Sequence, residues 1–432
     1  MLYHLFDWLT KENFRFPGSG LFQFITFRVM LAMILSLVIT TVYGKRLIRI
    51  LQKKQLGETV RDLGLAGEKE KKGTPTMGGI IIIMAILIPT LLLANLDKVY
   101  IRLMLLATVW LGTIGFIDDL LKIRSRRRAK EKGLVYKKSD SDGLASKFKL
   151  FGQVMFGLIL GLTLYFNPNV TVKREVVSTG TTNGVQRGET KLNEDTIIID
   201  GKQHRFVTVK TPITTIPFVK THEFNYTRLL PESWEKYTYI LYIGVVIFIV
   251  TAVSNGANIT DGLDGLATGV CAIIGICLGI FAYVSGNVKF AEYLNIMYIP
   301  NLGELSIFIA AFVGSCIGFL WYNSYPAQVF MGDTGSLALG GIIAALAIIV
   351  RKELLIPIFC LVFFVELMSV MIQVTYFKYS KRKYGEGRRV FLMSPLHHHY
   401  QKLGYHESKI AVRFWIITIL CIAMAIVTLK LR

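Results

Sequence analysis

The sequence predicts an all-α polytopic membrane protein of about ten transmembrane helices, with both termini outside and a small β-rich external insertion. Three observations carry that expectation. The 432 residues are 53% hydrophobic and only 18% charged, whereas soluble domains carry about 25% charged residues, so the apolar excess needs a solvent other than water. The apolar residues gather in runs of roughly 18–24, long enough to cross a hydrocarbon core ~30 Å thick. The basic residues, which give a net charge of +20, collect in short loops between those runs.

In chain order the runs fall near 22–44, 78–96, 99–117, 147–166, 236–254, 263–284, 304–322, 335–350, 354–377 and 410–429. Asp7, Lys11, Glu12 and Arg15 precede the first, which is span-length and lacks a small-residue cleavage site. It reads as a retained helix rather than a cleaved signal. Loops 45–72, 122–138 and 378–389 are dense in Lys and Arg. With ten alternating spans they share one side, which the positive-inside rule assigns to the cytoplasm. Loops 255–261 and 323–334 then face the same way.

Residues 167–235 stand on the other side as a polar stretch of nearly balanced charge. Thr196-Ile-Ile-Ile-Asp200 and Phe206-Val-Thr-Val209 alternate like strands, and Asn183-Gly184 suits a turn. The chain thus divides into 1–166 with helices one to four, the insertion 167–235, and 236–432 with helices five to ten.

Several function classes drop out. Basic residues set between apolar runs point to membrane topology and polyanionic substrates, with no nucleic acid. Cys271, Cys277, Cys316, Cys360 and Cys421 lie inside apolar runs without metal-ligand spacing and read as small buried hydrophobes. Neither a GxxxxGK[ST] loop nor a GxGxxG turn is present. A transporter would show inverted repeats and midplane charges. Only Glu366 is notable there, and with Gln373 two turns on it reads as a packed, hydrogen-bonded pair.

The polar signals concentrate on the cytoplasmic side. Asp118 and Asp119 end the third run in Gly115-Phe-Ile-Asp-Asp-Leu-Leu-Lys122. The fifth leads into Asn255-Gly-Ala-Asn-Ile-Thr-Asp-Gly-Leu-Asp-Gly265, and the seventh into Asn323 and Phe330-Met-Gly-Asp-Thr-Gly-Ser336. Carboxylates at helix ends are expensive if they enter lipid, and Asp118, Asp119, Asp261, Asp264 and Asp333 all face one way. Hard oxygen ligands of this kind suit Mg²⁺, which keeps positions for water and substrate phosphate. His397, His398 and His399 cannot all point one way on a regular element. Histidine donates hydrogen bonds and titrates near neutrality, which favours phosphate contact over metal ligation here. Lys71-Lys-Gly-Thr-Pro-Thr-Met-Gly-Gly79 precedes the second run, where a lysine can hold a pyrophosphate.

Taken together, GTPTMGG (73–79), GFIDDLLK (115–122), NGANITDGLDGLATG (255–269), FMGDTGSLALGG (330–341) and SPLHHHYQKLG (394–404) resemble the MraY family of phospho-N-acetylmuramoyl-pentapeptide transferases. That family lies within the polyprenyl-phosphate N-acetylhexosamine-1-phosphate transferase superfamily. The motifs stand in family order and cover nearly the whole chain, while the insertion at 167–235 departs from the compact family pattern. The resemblance implies a multi-pass protein of the bacterial cytoplasmic (inner) membrane with its active site on the cytoplasmic side. Its partners would be UDP-MurNAc-pentapeptide, undecaprenyl phosphate and membrane lipid, its products lipid I and UMP, and its cofactor Mg²⁺.

The resemblance also implies residue roles. Asp333 would be the main metal ligand, and Asp118 and Asp119 would handle the attacking lipid phosphate, with Asp333 and His397 completing the catalytic set. Lys72, Asn255, Asn258, Asp261, Gly262, Asp264, Asn323 and Phe330 would surround nucleotide and pyrophosphate, with His398 and His399 supporting the phosphates. Lys122 and Lys147 are further candidates for the lipid phosphate. A homodimer is compatible with the family, although the sequence supplies no interface. Two alternatives remain open: a UDP-GlcNAc-1-phosphate polyprenyl transferase of the same superfamily, and a transporter of an anionic nucleotide or lipid.

Overall fold

The computed structural model of the chain describes residues 1–12, 18–53, 73–131, 144, 146–175, 189–199, 202–216, 223–294 and 296–428. Among them, nine helices are long and apolar enough to cross a membrane. They are α1 (Ile25–Lys53), α3 (Val99–Glu131), α4 (Ser146–Phe166), α5 (Thr238–Thr260), α6 (Leu266–Ser285), α7 (Leu305–Asn323), α8 (Gly332–Ile349), α9 (Leu361–Tyr384) and α10 (Glu407–Val427). A tenth apolar helix, α2 (Gly79–Leu93), completes the expected set. The ten runs read from the sequence all become helices, with displaced ends.

The displaced ends have local causes. α2 is shorter than its apolar run because hydrogen bonds claim both of its flanks. Gly78 and Gly79 donate their N–H groups to the carbonyls of Phe330 and Met331, and Pro75 accepts from Phe330 N. Past the other end, Asn95 N donates to Glu304 Oε2 (3.2 Å). α3 runs well beyond 117, through Asp118 and Asp119 to Glu131, because those carboxylates find partners in the protein instead of meeting lipid. α1 crosses a π-helical turn at Ile39–Tyr43 and continues to Lys53.

Successive helices alternate in direction, so one end of the bundle gathers the ends of α1, α3, α5, α7 and α9 with the starts of α2, α4, α6, α8 and α10. Helices α7 and α8 stand at its centre, almost wholly buried. At the far end Arg28, 2% exposed, forms a two-pronged pair with Glu304 (2.8 and 2.6 Å) and donates to Leu93 O. This ties α1, α2 and the approach to α7 together. The Met1 ammonium donates to Leu91 O (2.5 Å) at the same end, which α10 also reaches. All five cysteines are buried and unpaired.

Two glycines set how closely the central helices approach. A Cβ on Gly79 would lie 2.1 Å from Gly335 N, and one on Gly115 would lie 2.1 Å from Asp333 O. Both neighbours are backbone, so nothing rotates away; α2 and α3 pack directly on the first turn of α8. Gly115→Ala is therefore expected to lower the unfolding temperature through about 1–3 kcal/mol of overpacking, measured by thermal unfolding in nanodiscs.

The insertion is built of strands, as its alternation predicts. β1 (Val172–Glu175), β2 (Thr190–Ile199) and β3 (Lys202–Lys210) form an antiparallel sheet in the order β1-β3-β2. β4 (Ile213–Thr215) pairs with β5 (Glu223–Asn225). The turn expected at Asn183-Gly184 lies outside the described residues. The second sheet sits on the end of α8: Arg351 O accepts from Thr215 N (3.0 Å), Lys352 Nζ donates to Thr215 Oγ1 (2.8 Å), and Tyr226 Oη donates to Glu353 Oε1 (3.1 Å). Burial pulls the Lys352 ammonium down to about 8.

Glu366 and Gln373 do not form the pair expected of them. Both face the segment after α9: Gln373 Oε1 accepts from Val390 N and Phe391 N (3.0 Å each), while Glu366 binds His397. The pairing differs because that segment folds back along α9 and presents unpaired N–H groups.

Candidate active site

The first turn of α8 organises the site. Its leading N–H groups lack intrahelical partners, and Met331 before it offers no side-chain cap. Asp119 on α3 supplies one from outside: Oδ1 accepts from Asp333 N (3.2 Å), and Oδ2 accepts from Thr334 N (2.9 Å) and Thr334 Oγ1 (2.6 Å). A buried carboxylate there also complements the positive end of the helix dipole. Asp119 thus fixes Asp333 rather than presenting an open face to a substrate.

Asp118, one residue earlier and fully buried, points elsewhere on α3 and accepts from Leu144 N through Oδ1 (2.7 Å). Its Oδ2 meets Lys122 Nζ (2.6 Å), one turn on, and Lys149 Nζ (2.8 Å) from α4. The same two ammoniums reach Asp333 Oδ2, at 3.0 and 2.6 Å. Asn258 Nδ2, on the last turn of α5, donates to Asp333 Oδ1 (3.0 Å) and Ser336 Oγ (2.8 Å). One oxygen from each of Asp118, Asp119 and Asp333 lies within 4.8 Å of the others. Three carboxylates with two lysines form a compact charged cluster whose donors are all hard. The oxygen donor set fits a small oxygen-seeking divalent ion, and Lys122 and Lys149 pair with the carboxylates.

Other expected residues take different places. Asn323 Oδ1 accepts from Gly265 N (3.2 Å) and Thr268 Oγ1 (3.0 Å), and its Nδ2 donates to Val329 O (3.0 Å). Asp264 Oδ2 accepts from Ala327 N (3.0 Å). Both side chains are buried and brace the 261–265 loop against the 324–331 loop. Phe330, partly buried, bonds instead to the segment before α2, through Pro75 O and Gly78 N, while Asp261 and Gly262 remain more open. Asn255 Nδ2 donates to Gln153 Oε1 (2.9 Å), which clamps α5 to α4. Lys147, a candidate for the lipid phosphate, is exposed, and Lys149 is the α4 lysine that meets the carboxylates. Lys72 lies outside the described residues.

The three histidines diverge as expected. His397 is fully buried with Nδ1 on Glu366 Oε2 (3.0 Å), and its backbone N donates to Glu366 Oε1 (3.1 Å). Its Nε2 has no partner and faces the 261–265 loop, where a Cβ on Gly262 would lie 2.2 Å away. His398 Nδ1 meets Gln401 Oε1 (2.7 Å), and His399 Nδ1 accepts from Leu392 N (3.2 Å).

The acid–lysine cluster lies at one end of a polytopic helical bundle, and residues 192–351 match the profile of glycosyl transferase family 4. Residues 71–83 match phospho-N-acetylmuramoyl-pentapeptide-transferase signature 1. Phospho-N-acetylmuramoyl-pentapeptide-transferases of Flavobacterium psychrophilum, Parabacteroides distasonis and Phocaeicola vulgatus are 56%, 52% and 48% identical to the chain, each aligned over the full length of both proteins. The chain belongs to the phospho-N-acetylmuramoyl-pentapeptide-transferase family.

Proposed function

We propose that this protein transfers phospho-MurNAc-pentapeptide from UDP-MurNAc-pentapeptide to undecaprenyl phosphate, forming lipid I and UMP on the cytoplasmic face of the bacterial inner membrane. The observation that carries the reading is the cluster of Asp118, Asp119, Asp333, Lys122 and Lys149. It lies where a lipid-borne phosphate and a water-soluble polyanion can meet, at the end of the bundle that carries the basic loops. The far end, with the insertion and both termini, would then face outward.

Asp333 and Asp118 would hold Mg²⁺, with Asp119 fixing Asp333 through the first turn of α8. The ion would supply charge neutralisation on the pyrophosphate. Lys122 and Lys149 would turn from the carboxylates to the oxygens of the lipid phosphate. A phosphate monoester with a second pKa of about 6 is mostly dianionic at pH 7, so it needs little help from a base. Its oxygen attacks the sugar-linked phosphorus, and the bond to the UMP oxygen breaks as the new P–O bond forms. Asp118 orients the attacking phosphate or takes its residual proton. Isolation of a phosphorylated Asp118 would contradict this direct route.

Two residue tests follow from the geometry. Lys149→Ala should raise KM for undecaprenyl phosphate about tenfold or more, at roughly the value of one charge-assisted hydrogen bond, whereas Lys147→Ala should leave it unchanged. His397→Ala should lower kcat by about 10²-fold, the cost of losing one donor aimed at developing charge. Glu366→Gln should show a smaller loss of kcat, because Glu366 acts by orienting His397.

The substrate is tested by UMP release from purified protein given undecaprenyl phosphate with either UDP-MurNAc-pentapeptide or UDP-GlcNAc. Release from the muramoyl nucleotide alone is the expected result. Turnover of UDP-GlcNAc alone would keep the site and replace the substrate.

A further inference from the structure

At the far end of α8, 18 residues and so roughly 27 Å from the carboxylates, a cavity of about 220 Å³ opens between α4, α5 and the insertion. Its walls include Lys210, Thr211, Tyr165, Tyr242 and Arg351, and no acidic residue among the described residues. Tyr242 is 1% exposed and Thr211 6% exposed, yet neither the Tyr242 hydroxyl nor Thr211 Oγ1 has a hydrogen-bond partner among the described residues. Buried polar groups are almost always satisfied, and each exception calls for a ligand, an ion or ordered water.

The charged groups in its lining are basic. Arg351 is buried, donates to Ile213 O (3.3 Å), and forms no direct ion pair among the described residues. Glu353, whose Oε1 accepts from Tyr226, interacts with Arg351 electrostatically but does not line the cavity. Lys210 Nζ donates to Phe166 O (2.6 Å), its one partner among the described residues, and partial burial pulls its pKa down. Arg351 also holds a backbone φ of 59°, a left-handed conformation that residues with a Cβ avoid and that clusters at ligand clamps. The Arg351 guanidinium lies beside Tyr242 in the cavity wall, 5.9 Å from the ring centre.

We propose that this cavity is a second anion site, built for a single phosphate group between the Arg351 guanidinium, the Lys210 ammonium and the two unpartnered hydroxyls. These four groups border a space much larger than the roughly 30 Å³ share of one water. The head group of an anionic phospholipid is the source the surroundings favour. Phe166, Trp234 and Tyr237 are exposed nearby, at the ends of α4 and α5, and such aromatics mark the depth of the membrane–water interface. The site would hold a lipid against the seam between the helices and the insertion, independently of the transfer chemistry.

The test uses the full chain in nanodiscs of phosphatidylcholine, alone or mixed with phosphatidylglycerol. Native mass spectrometry counts the phosphatidylglycerol retained by the wild type, Lys210→Gln and Tyr242→Phe. A parallel thermal-unfolding series in detergent adds inorganic phosphate against chloride at matched ionic strength. Tyr242→Phe removes only an unpartnered hydroxyl, so it should fold as the wild type does, and UMP release checks that both variants remain intact. Retention reduced about tenfold in both variants supports the site with a lipid source. Stabilisation by phosphate but not chloride, lost in the variants without lipid retention, supports the site with a soluble source. Equal retention in all three proteins, with no phosphate-specific stabilisation, overturns it.

Discussion

Asp333→Asn is expected to lower kcat for UMP release by about 10³-fold or more while leaving the protein folded. The amide keeps the shape of the side chain and one acceptor, so the Asn258 contact at Oδ1 survives. The charge does not. Three carboxylates face two ammoniums in this cluster, which leaves a net negative site for a divalent ion; removing one carboxylate makes it neutral. The loss should fall on kcat more than on KM for the nucleotide, because the affected charge develops at the pyrophosphate during transfer. Steady-state kinetics at saturating Mg²⁺, paired with thermal unfolding, separates this outcome from a general loss of structure.

Asp119→Ala should give the largest stability effect in the site, and its signature should differ from that of Asp118→Asn. Asp119 accepts three hydrogen bonds from the start of α8. Without it, two buried backbone N–H groups and a threonine hydroxyl lose their acceptor, at a cost of about 3 kcal/mol. The unfolding temperature and kcat should therefore fall together, since Asp333 loses its anchor. Asp119→Asn, which keeps an acceptor, should recover part of both. Asp118→Asn leaves the α8 cap intact, so its loss of activity should come with a much smaller change in unfolding temperature. Equal destabilisation by the two substitutions would contradict the division between Asp119, which anchors the start of α8, and Asp118, which does not.

The ten passes were legible because lipid imposes length and polarity on each helix separately, so single runs of sequence suffice to find them. The cluster of Asp118, Asp333, Asn258 and Lys122 was legible for a related reason, because polar residues at span ends on one side must meet. Lys149 was not read as the partner, and Lys147 was named in its place. Two residues apart on a helix point in nearly opposite directions, so the choice depends on the phase of α4. That phase is written in the sequence: Gln153, Gly157, Gly161 and Leu164 form a buried stripe at helical spacing. Followed back one turn, the stripe arrives at Lys149, while Phe148, Leu150 and Phe151 are exposed on the outside of the bundle.

Asp264 and Asn323 show the converse limit. Their motifs mark them as site residues, but only the fold reveals that both are engaged in joining two loops. The link between Glu366 and His397 spans 31 positions, and no local pattern announces it. Asp119 as a cap for a helix more than 200 residues away is a tertiary fact of the same kind.

Metal binding at the carboxylate cluster is tested most directly without turnover. Mn²⁺, which accepts the same oxygen ligands as Mg²⁺, can be titrated into the purified protein and its free fraction followed by electron paramagnetic resonance. Saturable binding by the wild type, competed by Mg²⁺ and lost in Asp333→Asn, is the predicted result. Identical Mn²⁺ binding by wild type and Asp333→Asn would place the ion elsewhere and contradict the assignment of this cluster as the metal-dependent centre.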